Sequence, residues 1–73
     1  MLTLTRKGLV KLKEWEVQYP REKPLYVSLL HQIDADYKFW RAYNVGSNLQ
    51  EAYGAALEEN LAFLRREQLI SEV

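Results

Sequence analysis

Between Leu25 and Tyr43 the apolar side chains recur with a period of about 3.6 residues, and this limits what the chain can fold into more than any other feature. At about 100° per residue, Leu25, Tyr26, Leu29, Leu30, Ile33, Tyr37, Trp40 and Tyr43 fall on one broad stripe. His31, Asp34, Lys38 and Arg41 fall on the opposite side. A helix over residues 24–44 is therefore predicted, with Pro24 in its first turn and Asn44-Val45-Gly46 as the segment that ends it. A stripe of this width needs neighbours to cover it.

The flanking segments supply them. Thr5 can cap a helix over residues 5–18, in which Leu9, Leu12 and Trp15 share one side. Pro20 stops that helix, and Tyr19 to Pro24 form a stiff connector. Ser47 and Gln50 have the spacing of a capping box, so a third helix is expected over 48–69. Its apolar positions keep one phase through Gly54, and an interior glycine costs only about 1 kcal/mol, so the helix is expected to be continuous. The expected fold is mainly α: the second and third helices form an antiparallel hairpin and the first packs across it. Leu29, Ile33, Trp40, Leu57, Leu61 and Leu64 should form the centre. Leu2-Thr3-Leu4 and Ile70 to Val73 have some β character and can pair as short terminal strands.

Seventy-three residues make one domain, 1–73, near the lower size at which a single core outweighs chain entropy. With no cysteine, disulfides, thiolate nucleophiles and cysteine metal sites are excluded. No leader-like or spanning apolar run is present, so a cytoplasmic setting is expected. Formal net charge is +0, which removes the long-range field that steers proteins onto nucleic acid or anionic lipid. The distribution is less even: residues 1–24 carry +3 and residues 25–64 carry −3.

Few residues suggest chemistry. His31 is the single histidine, with Asp34 one turn away, but both lie on the solvated side. No nucleophile–base pair, phosphate loop or ligand cluster can be assembled, so no enzymatic activity, no cofactor and no metal are expected. Asp34 and Asp36, two apart on a helix, should point in different directions. Tyr37, Phe39, Trp40 and Tyr43 interleave with Lys38 and Arg41 as a base-stacking platform would, although the phase of Tyr37, Trp40 and Tyr43 favours core packing. Phe39 at the edge of the stripe and Val27 off it are candidates for exposed apolar contact with a partner. Asn60 falls mid-stripe, where an amide either fixes the register of an interface with a partner or caps a local break or reaches a core water.

Leu49-Gln50-Glu51-Ala52-Tyr53-Gly54, followed by Leu57, Leu61, Leu64 and Leu69-Ile70, resembles the second and third helices of winged helix-turn-helix proteins. Leu4-Thr5-Arg6-Lys7-Gly8 resembles the segment that follows the wing in that family. The turn after Gly54 is about three residues shorter than the family's, no wing is expected because the chain stops at Val73, and Glu58 and Glu59 stand early in the would-be reading helix. The resemblance implies a DNA-binding regulator that uses Lys7, Lys11, Lys13, Arg65 and Arg66. The residues themselves point first to a non-catalytic protein–protein interaction module: an adaptor, inhibitor or accessory subunit whose partner is another protein or itself as a homodimer.

Overall fold

The computed structural model describes residues 1–46 and 48–73. Its elements run β1 (Leu2–Leu4), α1 (Arg6–Gln18), α2 (Leu25–Tyr43), α3 (Leu49–Tyr53), α4 (Ala56–Arg66) and β2 (Ile70–Glu72). The fold is mainly helical, and the two terminal strands pair antiparallel with Leu2 opposite Glu72, Thr3 opposite Ser71 and Leu4 opposite Ile70.

Local chemistry accounts for the element ends. The Thr5 side chain accepts a hydrogen bond from the Gly8 amide at 3.0 Å, capping α1, and its hydroxyl donates to the Gln68 carbonyl at 2.7 Å. The Thr5 amide donates to the Leu69 carbonyl at 3.0 Å, so the turn into α1 docks on the turn out of α4. A Cβ at Gly8 would overlap the Leu69 carbonyl oxygen, so only glycine allows this approach. Asn44 ends α2 in the left-handed conformation, φ 58, with its amide on the Trp40 carbonyl at 2.8 Å. Gln68, φ 59, ends α4: the Leu69 amide reaches the Leu64 carbonyl at 2.9 Å and the Gln68 amide reaches Arg65 at 3.0 Å. These two bonds make a Schellman motif, and its apolar pair, Leu64 and Leu69, is fully buried.

The continuous helix expected over 48–69 is two helices. Gly54 sits at φ 56, ψ −137, a region that only glycine enters freely, and the chain turns there before α4 begins. Gln50 Nε2 donates to the Gly54 carbonyl at 3.1 Å, and the Leu57 amide donates to the same oxygen at 3.2 Å. Helical phase could not reveal this, because both helices turn their apolar residues to the same core. Asn48 caps α3 by accepting from the Glu51 amide at 3.2 Å. The capping box anticipated from Ser47 falls on a residue outside those described.

α2 is the hub, packed against β1, α1 and α4. Phe63, late in α4, places its ring 5.2 Å from Tyr26 in the first turn of α2, while Leu49 and Asp36 border one groove. The chain from α3 through α4 thus runs back along α2, as the predicted hairpin requires. The core consists of Leu4, Leu12, Val27, Leu29, Leu30, Ile33, Leu57, Leu61, Leu64, Leu69 and Ile70. Three residues depart from the expected placement. Val27 is fully buried rather than an exposed contact, because neighbours on more than one side cover a wider arc of α2 than a single stripe does. Trp40, placed at the centre by its phase, is 37% exposed, because the core ends before α2 does. Leu9, assigned to the packed side of the first helix, is also exposed, and Leu12 is the buried residue there.

Candidate contact surface

Helix lengths create the surface. At about 1.5 Å per residue, the 19 residues of α2 span roughly 28 Å, the 13 of α1 roughly 20 Å and the 11 of α4 roughly 17 Å. The neighbours run out first. Asp36 is the last buried residue of α2, and every residue from Lys38 to Gly46 is exposed. Phe39 is 50% exposed, Trp40 37% and Tyr43 68% at the end of α2, and Val45 just beyond it is 55% exposed, so among the described residues these apolar side chains are left largely uncovered.

This end is held by pairs within its own helix. Phe39 and Tyr43, four residues apart, bring their ring centroids to 4.8 Å. Tyr37 and Trp40 stack at 6.3 Å with planes 25° apart, and the Arg41 guanidinium lies 6.0 Å from the Tyr37 ring. Lys38 Nζ is 3.0 Å from Asp34 Oδ2. Arg41 in the last turn also complements the helix dipole. From Tyr37 to Gly46 the sequence has two cations and no acid, so the surface is apolar, aromatic and mildly positive.

The other candidates are dispersed. Asn60 is half-buried and its Nδ2 donates to the Ala56 carbonyl at 2.7 Å, so its amide is used within α4. His31 faces α1, with Nδ1 3.3 Å from Glu16 Oε1 on the exposed side. Asp34 and Asp36 diverge: the first meets Lys38, and the second, buried, accepts from Gln32 Nε2 at 2.8 Å. Asp36 borders a groove of about 480 Å³ with Ile33, Leu49 and Glu72. Among the described residues, no group of three or more His, Cys, Asp or Glu is placed to hold a metal ion.

Of the residues that the winged-helix resemblance singled out, Lys7 and Lys11 border a groove of about 290 Å³ with Trp15, Phe63, Glu67 and Leu69. Lys11 lies 6.0 Å from the Trp15 ring and 3.4 Å from Glu14. Lys13, Arg65 and Arg66 are exposed outside it. Residue periodicity missed the exposure of Trp40 and Tyr43, and the predicted lengths gave no warning, because a continuous helix over 48–69 would have been long enough to flank all of the helix over 24–44. Among the described residues, no helix is long and apolar enough to cross a membrane. The chain matches no known family model, no curated protein and no solved structure.

Proposed function

We propose that this is a non-catalytic protein–protein interaction module, with the exposed end of α2 as its contact surface. The observation that carries the proposal is the run of exposed apolar side chains Phe39, Trp40, Tyr43 and Val45 past the last buried residue of α2, where nine successive residues are exposed. Tyrosine, tryptophan and arginine are the residues that dominate binding energy when desolvated, and this end presents Trp40, Arg41 and Tyr43 in succession. The test is a Phe39→Ala/Tyr43→Ala variant. Because both rings are outside the core, its folding should be unchanged, while complex formation should weaken by about tenfold or more. Unaltered binding in a folded variant would remove the proposal. A cytoplasmic setting is part of it, and fractionation of expressing cells checks that part.

One observation favours a second reading. The break at Gly54 gives α3 and α4 the order of a helix-turn-helix, and β2 follows α4 and pairs with β1, similar to the placement of a wing. The DNA-binding function implied by that resemblance would rest on Lys7, Lys11, Lys13, Arg65 and Arg66. Against it, the first turn of α4, which would enter the groove, carries Glu58 and Glu59. Duplex titrations across salt separate the two readings: DNA binding requires affinity that falls steeply as salt rises, whereas the contact module shows little binding at physiological salt.

A further inference from the structure

We infer that the partner seated on the end of α2 is a second copy of this chain, related by a two-fold axis. The inference rests on the contact surface proposed above and assigns its occupant.

The end of α2 needs a surface that is apolar and acidic. The chain carries one immediately downstream. From Leu49 to Leu64 there is no lysine or arginine, and Glu51, Ala52, Ala55, Glu58 and Glu59 are all exposed along α3 and the first turn of α4. Alanines between the acids let aromatic rings approach the backbone, and three carboxylates oppose Arg41 and Lys38, whose ammonium also lies 3.0 Å from Asp34 Oδ2. Five residues, 44–48, separate the end of α2 from the start of α3, so the two helix ends lie within about 22 Å of one another.

Adjacent, complementary surfaces on one chain are what a closed dimer needs. A two-fold axis between them lays each α2 end on the partner's acidic corner, and the same contact recurs on the other side, so association stops at two. A standard interface takes roughly 800 Å² from each partner, less than a sixth of the 5160 Å² surface of this chain. Formal net charge is +0, so no overall repulsion opposes two copies meeting.

Charge-swap sedimentation tests this. Wild-type protein should pass from monomer to dimer as concentration rises. Lys38→Glu/Arg41→Glu and Glu51→Lys/Glu58→Lys/Glu59→Lys should each raise the dimer dissociation constant by about tenfold. An equimolar mixture of the two variants should recover dimer, because in the mixed pair both contacts again join opposite charges. Circular dichroism confirms that each variant is folded. A wild-type chain that stays monomeric to sub-millimolar concentration, or folded variants that dimerise as well as wild type, would overturn the inference. A benzophenone cross-linker placed at Phe39 separates the two layers in cells. An adduct of twice the chain mass supports the second copy, an adduct with a different protein overturns it while keeping the contact surface, and no protein adduct overturns both.

Discussion

Gly8 shows how one position can decide a fold in a direction that local propensity does not predict. It stands in the first turn of α1, where alanine would favour the helix by about 1 kcal/mol. A methyl group there meets the Leu69 carbonyl, so Gly8→Ala should instead destabilise the protein by about 1–3 kcal/mol in urea denaturation. A stabilised variant would mean that the two turns do not dock as described. The sequence shows the Thr5 cap directly, since capping needs only neighbours along the chain. It shows neither the Gly8 approach nor the bond from Thr5 to Gln68, which join residues from opposite ends of the chain. Two tyrosines carry a pH dependence. Burial, then the hydrogen bond and charge of Tyr19, raise Tyr26 above its ordinary 10.0, and burial followed by the Asp36 charge raises Tyr53. The folded state therefore holds these protons more tightly than the unfolded chain. Their contribution is complete below pH of about 10 and is lost as pH rises through the folded values. Melting temperature should fall above that pH, and Tyr53→Phe should lessen the fall; an identical alkaline profile in the variant would contradict this.

At the scale of elements, the periodic residues located α1 and α2 almost to the residue, and even the weak terminal strands paired as their β character suggested. The third helix was less legible for a definite reason. Helical phase records which side of a segment meets the core, and α3 and α4 meet the same core, so their separation leaves no trace in the wheel. Gly54 was visible, but its cost in a helix is too small to predict a break. Its substitution now distinguishes the two pictures by sign. In a continuous helix Gly54→Ala would stabilise by about 1 kcal/mol; at φ 56, ψ −137 it should destabilise by about 1–3 kcal/mol. Chemical denaturation of the variant gives the answer. Val27 and Trp40 share another lesson. Both were placed by angle alone, whereas burial also depends on how many neighbours a helix has and on where those neighbours stop.

For the whole molecule, the main consequence is that the core is shorter than its central helix. β1, α1 and α4 pack on α2, whose last buried residue is Asp36, and beyond it the sequence continues to place large rings that are exposed among the described residues. The same region carries the basic side chains of a segment that is otherwise acidic. A contact surface accounts for both facts. Its most direct test uses the small number of tryptophans: with Trp15→Phe, 5-fluorotryptophan labels Trp40 alone. The ¹⁹F resonance of that probe, recorded in dilute solution, at high concentration and inside cells, reports whether the end of α2 is covered. If the end of α2 is a contact surface, the resonance shifts and broadens away from its dilute-solution position at high concentration or in cells. A resonance that keeps the solvated position and width under all three conditions would contradict it.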